Sequence, residues 1–182
     1  MLKRSLLALL LTAPVLAHAG KFSLSSPDLQ PGKRIADKHV FKGFGCEGGN
    51  VSPALEWKNA PEGTKSFAVT AYDPDAPTGS GWWHWVVYNI PADATGIAAG
   101  AGTEKGESLP KGSMQGRTDF GAPGYGGPCP PVGHGTHHYT FTVYALKTDK
   151  LELDANATAA LVGYMINGNK IGKASFTSTY SR

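Results

Sequence analysis

Residues 66–77 read Ser-Phe-Ala-Val-Thr-Ala-Tyr-Asp-Pro-Asp-Ala-Pro, and after a Gly-Ser-Gly turn residues 82–90 read Trp-Trp-His-Trp-Val-Val-Tyr-Asn-Ile. Short runs of β-branched and aromatic residues bounded by Gly and Pro are typical of buried strands. The sequence therefore predicts strands over 66–72 and 82–90, joined by a loop that carries two aspartates.

The same pattern predicts two more strands farther along the chain. Residues 174–180 form a short closing strand. Residues 138–146 form a strand whose side chains alternate between two faces, so one apolar face contains Tyr139, Phe141, Val143 and Ala145.

One segment has helical spacing, over residues 154–167. Asp154 or Asn156 is suited to cap its N-terminus, and Gly168 is suited to end it. We expect the apolar side chains at helical spacing to lie in the core, namely Leu161, Tyr164 and Met165.

Glycine and proline together make up about a fifth of the 182 residues, with 24 Gly and 13 Pro. Such a composition favours turns and short strands over long helical bundles. Hydrophobic residues make up 41% and charged residues only 17%, which excludes a disordered chain. The sequence thus predicts one β-rich globular domain, over residues 20–182.

The N-terminal segment has the features of a secretory signal peptide. Lys3 and Arg4 precede an apolar run that ends at Ala17-His18-Ala19, and Pro14 interrupts the run too early for a membrane span. An uncleaved amphipathic anchor is the alternative. We predict that residues 1–19 are removed, that the mature protein is periplasmic or secreted, and that it has no stable membrane insertion.

Charge and cysteine content limit the partners further. The full chain carries a net charge of +3, and without Lys3 and Arg4 it carries +1. The remaining basic residues are scattered, which argues against a nucleic-acid partner. In an exported protein the pair Cys46 and Cys129 either forms a disulfide or remains as two free thiols.

The loop over 73–77 places carboxylates at the end of a buried strand. Its two prolines stiffen the backbone, so Asp73 and Asp75 are held in place. The simplest interpretation of residues 73–77 is a solvent-exposed turn with no further function. His84 argues against it, because a buried imidazole among tryptophans needs a polar partner.

A second loop, over residues 121–139, is rich in Gly and Pro and contains Cys129 and Pro130. Glycines let backbone N–H groups approach an anion closely. Where this loop enters the next strand, His137 and Tyr139 share one face, whereas His138 points to the other and is predicted to stand outside the site.

The side chains of Asp73, His84, His137 and Tyr139 together are suited to a pocket for a phosphate-like group. A bare carboxylate repels phosphate, so Asp73 should accept a histidine N–H or hold the ammonium end of a zwitterion such as phosphorylethanolamine. A zinc site is the alternative, but the run from His134 to His138 lacks the usual helical spacing of histidine ligands.

These motifs closely resemble the phosphatidylethanolamine-binding protein family, above all its bacterial branch, the Raf kinase inhibitor-like proteins. The resemblance is carried by residues 73–77, the strand with His84, and residues 127–131 and 133–139, and it extends from Ser23 to Arg182. It implies a large central antiparallel sheet, a second small sheet and one or two short helices.

The resemblance also implies a conserved anion pocket, no cofactor and no catalytic activity. Some members form homodimers, and some animal and plant members inhibit kinases. By matching motif positions, the pocket residues are Asp73, His84, Pro130, His137 and Tyr139, with Gly127 and Cys129 nearby.

Three functions follow as hypotheses. The first is a non-enzymatic binding protein for a small anion such as phosphate or a phosphorylated head group. The second is an interaction protein or protease inhibitor that uses the pocket rim around Tyr125. The third is a hydrolase with Cys129 as nucleophile and an Asp73–histidine pair as base, which requires a free thiol near an imidazole and an oxyanion donor.

Overall fold

The computed structural model describes residues 20–154 and 156–182, so the predicted signal peptide over 1–19 lies outside the described residues. Within them the chain forms one turn of 3₁₀ helix (Asp37–His39), one α-helix, α1 (Ala159–Asn169), and ten strands. The strands are β1 (Ser23–Ser25), β2 (Lys42–Gly43), β3 (Cys46–Glu47), β4 (Leu55–Lys58), β5 (Ser66–Asp73), β6 (Trp82–Pro91), β7 (Gly96–Ile97), β8 (Met114–Gln115), β9 (His137–Leu146) and β10 (Lys170–Tyr180).

The strands form a five-stranded sheet in the order β10-β9-β5-β6-β8 and a three-stranded sheet in the order β1-β4-β7. All pairings in both sheets are antiparallel. The predicted β-rich fold with a large central antiparallel sheet is confirmed. The structure adds a separate two-stranded ladder formed by β2 and β3.

The central sheet is buried on both faces, which explains why its strands are continuous apolar runs. One face of β5 carries Phe67 and Val69, which pack in one cluster with Leu55 and Trp57 of the small sheet. The opposite face carries Ala68, which packs with side chains of α1. Alternation along a strand therefore sends apolar side chains into two separate cores.

The predicted strands lie where the sequence placed them, with small extensions. β5 and β9 each include one more residue at the end that faces the loops, Asp73 and His137. β10 begins at Lys170 instead of residue 174, directly after α1. As predicted, Tyr139 and Phe141 of β9 lie in the same core.

The helix differs from its prediction in bounds and in orientation. It begins after Thr158, whose hydroxyl accepts the Leu161 N–H at 3.2 Å, and it continues through Gly168. Asp154 instead accepts the N–H of Asn156 in the preceding turn, at 2.7 Å.

The expected core positions of the helix are also wrong for two residues. Leu161 is 45% exposed and Tyr164 is 74% exposed, whereas Val162 and Ile166 are buried against the central sheet. Met165 packs at the margin of this core. The spacing identified a helix, but the sheet beneath it determined which stripe of the helix is buried.

Among the described residues, no helix is long and apolar enough to cross a membrane.

We expect Ile166→Ala to lower the free energy of unfolding by about 3 kcal/mol, because it leaves a cavity in the core. Tyr164→Ala, two residues away on the exposed face, should change it by less than about 1 kcal/mol. Urea unfolding of both variants measures the difference. Equal losses would show that the helix does not pack through the stripe described here.

Candidate functional site

A cavity of about 210 Å³ lies at the end of the central sheet where β5 ends and β6 and β9 begin. These ends meet because β5 is antiparallel to both neighbours. The cavity is lined by Phe44, Asp73, Ala76, Pro77, Thr78, Trp82, His84, Phe120, Cys129, Pro130, Pro131, His137 and Tyr139.

Six of the seven residues predicted for the site line this cavity, and Gly127 does not. The Gly127 N–H donates to Asn50 Oδ1 at 2.8 Å. A Cβ at this position would lie 2.0 Å from the His39 carbonyl oxygen. Gly127 therefore serves the close packing of its loop against residues 39–41, behind the cavity wall.

Asp73 and His137 form a buried pair in the cavity wall. His137 Nδ1 lies 2.7 Å from Asp73 Oδ2, and Asp73 Oδ1 accepts the Asp75 N–H at 2.8 Å. Both side chains are almost fully buried. Of the two roles considered for Asp73, this geometry matches the histidine partner, because Asp73 Oδ2 lies within hydrogen-bond distance of His137 Nδ1.

His134 covers the other ring nitrogen of His137. Its Nδ1 lies 2.8 Å from His137 Nε2, and its side chain is exposed. Such a contact requires one proton between the two nitrogens, so the two rings cannot both be cationic. In the sequence, His134 figured only in the zinc hypothesis; among the described residues, no group of three or more His, Cys, Asp or Glu is arranged to hold a metal ion.

His138 points away from the cavity and is half exposed. Its N–H donates to Asp75 Oδ2 at 2.8 Å, and its Nδ1 lies 2.7 Å from the same oxygen. The hydrogen bond from the His138 side chain holds the pKa of the Asp75 carboxyl below its usual range. The two aspartates of the 73–77 loop thus pair with successive histidines on opposite faces of β9.

A β-bulge brings His84 into the cavity. Ala71 of β5 pairs with Trp85 and Tyr72 pairs with Trp83, so His84 is the extra residue of β6. Regular alternation would send His84 and Trp85 to opposite faces. A bulge redirects a side chain, and His84 joins Asp73 and Tyr139 in the cavity wall.

Burial keeps His84 neutral. Its removal from water lowers its pKa from 6.5 to about 4. Nδ1 lies 2.6 Å from the Gly126 carbonyl oxygen, which can only accept, so Nδ1 carries the proton. In the neutral ring Nε2 is then an acceptor.

Two hydrogen-bond donors in the cavity wall have no partner among the described residues. They are the Tyr139 hydroxyl and Trp82 Nε1, both buried. Burial raises the pKa of Tyr139 far above its usual value, with the nearby Asp73 charge as a smaller cause, so the hydroxyl keeps its proton. Unpaired buried donors are rare in folded proteins, and they call for a ligand or water.

Cys46 and Cys129 are joined by a disulfide, with their sulfur atoms 2.10 Å apart. The bond ties β3 to the proline-rich cavity wall. Cys129 therefore has no free thiol, and the hydrolase hypothesis loses its nucleophile. Within the loop considered for a rim contact, the Tyr125 side chain itself is buried, and its hydroxyl donates to the His39 carbonyl oxygen at 3.0 Å.

The sequence did not identify three aromatic residues that line the cavity: Phe44, Trp82 and Phe120. Trp82 stands two residues before His84, which was a usable signal. Phe120 is brought over the His84 ring because Asp119 Oδ2 accepts the Trp83 N–H at 2.7 Å. Phe44 lies far away in the chain, and no local pattern marks it.

Comparisons with known proteins extend over almost all of the described chain. The family model described as phosphatidylethanolamine-binding protein matches residues 25–181. The protein YbcL of Escherichia coli K12 is 57% identical over 164 residues, which cover 90% of each chain. The crystal structure of YbcL, described as a new member of the mammalian PEBP family, matches with a TM-score of 0.88 at 56% identity, covering 90% of this chain and 99% of the YbcL chain in the crystal.

Two further relatives are similar over most of this chain. YbhB of Escherichia coli K12 is 49% identical over 158 residues, which cover 87% of this chain and 99% of YbhB. A Mycobacterium tuberculosis protein named as a lipoprotein, LppC, is 39% identical over 137 residues, which cover 75% of this chain and 63% of LppC.

We expect the free energy of unfolding to fall as the pH drops from 6.5 toward 4. Unfolded His84 takes up a proton near pH 6.5, whereas the folded ring resists until about pH 4. This difference amounts to about 3 kcal/mol over the interval. Urea unfolding between pH 7.5 and 4.5 measures the slope.

The variant His84→Gln should have a clearly shallower slope over the same interval. The remaining slope reports other groups such as His39, whose pKa is also lowered by burial. Identical slopes in the variant and the wild type would mean that His84 is not held neutral.

Proposed function

Because the chain belongs to the phosphatidylethanolamine-binding protein family, we propose that it is a binding protein that holds a small phosphate-type anion in the cavity between β5, β6 and β9. The family and the cavity support this proposal at two levels. Family membership supports a binding role in general. The polar groups of the cavity support an anion as the ligand.

The single observation that carries the proposal is the unpaired Tyr139 hydroxyl. It is buried in the wall of the cavity and remains protonated. Burying a hydroxyl without a hydrogen-bond partner is unfavourable. An anion oxygen is the acceptor that compensates best for it, because hydrogen bonds to charged groups are stronger than those to neutral groups. Trp82 Nε1 adds a second unpaired donor.

The cavity attracts an anion through hydrogen bonds rather than through fixed positive charge. Within the described part of the chain, no lysine or arginine lines it, and Asp73 is its one carboxylate. Nε2 of the neutral His84 ring is a hydrogen-bond acceptor, as is an anion oxygen. The two atoms repel each other unless one of them carries a proton. The bound anion therefore either carries that proton, as a monoprotonated phosphate does, or induces His84 to take one.

Both oxygens of Asp73 already accept protein hydrogen bonds. The proposal therefore rests on the phosphate part of a phosphorylethanolamine-type ligand. The ammonium part has no free carboxylate within the cavity wall that the structure describes. We infer binding and assign no reaction to the cavity, since the sulfur of Cys129 is held in a disulfide.

We also propose that the mature protein begins near residue 20, forms one domain and works outside the cytoplasm. Three observations support this: the charged, apolar and small-residue pattern of residues 1–19, the Cys46–Cys129 disulfide, and the relative named as a lipoprotein. Disulfides persist mainly in oxidising compartments, which favours export.

We expect inorganic phosphate to shift the NMR signals of His84 and His137 in a saturable way. Tyr139→Phe removes only the hydroxyl and should raise the Kd for phosphate about tenfold. Tyr144→Phe is the matched control, because Tyr144 lies on the opposite face of the same strand and packs with α1. The absence of any saturable shift at millimolar phosphate would overturn the proposal.

We expect sulfate to bind more tightly as the pH falls from 7.5 to 5. Sulfate keeps its charge over this interval and cannot donate a proton, so the gain must come from a protein group. A bound anion raises the pKa of His84 above its value of about 4, and affinity rises as the pH drops through the raised value.

The sulfate titration is repeated with His84→Gln, whose side chain does not titrate. This variant should bind sulfate with nearly the same affinity at both pH values. A gain on acidification as large as that of the wild type would assign the proton to another group and contradict the role given to His84.

A further inference from the structure

Phe44 occupies a backbone conformation that is unfavourable for phenylalanine. Together with Gly45 it forms the two-residue turn between β2 and β3, in which Gly43 pairs with Cys46. Both turn residues have positive φ, 53° for Phe44 and 78° for Gly45. Turns of this kind favour Asn-Gly, because a bulky side chain is strained in the left-handed region.

Burial does not compensate for this conformation, because Phe44 is 68% exposed. Its ring lies 5.3 Å from the Phe41 ring and 6.0 Å from the Phe120 ring, measured between centroids. Both the positive φ of Phe44 and the exposure of its apolar ring to water are unfavourable. Strain that persists without a gain in stability is typical of functional positions.

The turn is held against the cavity by two independent connections. The Cys46–Cys129 disulfide joins β3 to the cavity wall. The Arg182 guanidinium donates to the carbonyl oxygens of Phe44, at 3.2 Å, and Gly45, at 3.0 Å, while its Nε donates to Pro130. These connections fix the backbone of the turn, which carries Phe44, relative to Cys129 and Pro130.

The cavity therefore has a polar end and an aromatic mouth. The polar end contains the Asp73–His137 pair, His84 and the Tyr139 hydroxyl. Phe120 connects the two ends, because its ring contacts the His84 ring edge-on at 5.4 Å and stacks near Phe44. A ligand that matches both ends carries an anionic group and an apolar ring on the same small molecule.

We propose that Phe44, with Phe120, forms an aromatic subsite that makes the cavity selective for phosphate monoesters with an aryl substituent. This inference rests on the proposed function, because it assumes that the phosphate group occupies the polar end. The aryl ring then lies against Phe44 and Phe120 at the mouth, where aromatic rings gain from offset or edge-on contacts.

The test compares phenyl phosphate with inorganic phosphate by NMR titration of the mature protein. We expect the wild type to bind phenyl phosphate about tenfold more tightly, because part of an apolar ring leaves water. Phe44→Ala should bring the two Kd values within about twofold of each other, mainly by weakening the binding of phenyl phosphate.

Two further variants keep the comparison sound. Phe44→Asn suits the turn better than phenylalanine, so it should fold at least as stably and still lose the preference. Val132→Ala removes an apolar side chain that is 78% exposed near the cavity but is not part of its wall, and it should keep the preference.

The outcomes separate the subsite from the proposed function. If neither phosphate binds the wild type, the proposed function fails and the subsite fails with it. If both bind the wild type equally, or if the preference survives in both Phe44 variants, the aromatic subsite is wrong while anion binding stands.

Discussion

The central sheet must be covered on both faces, and most of the molecule follows from this constraint. Phe67 and Val69 need the small sheet as a cover, and Ala68 between them needs α1. Because side chains alternate along a strand, a strand that is apolar at every position cannot be exposed on either face. Neighbouring antiparallel strands then begin and end at the same end of the sheet. Polar residues that directly precede or follow these buried strands therefore lie close together at that end.

The site forms where the regular pattern of the sheet stops. Asp73 and His137 are the terminal residues of their strands, and they continue faces that are apolar elsewhere. On the surface such a pair contributes little to the free energy of folding. In a buried position, however, a carboxylate without its histidine partner would destabilise the fold. The bulge at His84 adds a third polar group that regular alternation would have sent to the opposite face.

The electrostatics of the cavity are unusual for the anion site that we propose. It relies on neutral donors and on a histidine that burial holds uncharged, with a carboxylate in the wall. For the proposed ligand, this arrangement would favour an anion that shares a proton with the site over a permanently bound dianion. The mouth has a different chemistry, since Phe44 and Phe120 present rings beside the polar end. Under the proposed function, a cavity with two chemically distinct ends would discriminate among anions by their substituents as well as by their charge.

The sequence by itself determined the four longest strands, the alternation of β9 and four residues of the cavity wall, because periodicity and polar residues beside buried strands are local signals. The resemblance to a family added Cys129 and Pro130. The sequence predicted the existence of α1 but not which stripe is buried, since Leu161 and Ile166 are similarly apolar side chains and only the sheet determines which of them is covered. Only the tertiary structure decided the bulge at His84, the partner of Asp73 and the position of Phe44. Each of these depends on contacts between residues far apart in the chain, and no spacing along the sequence encodes such contacts.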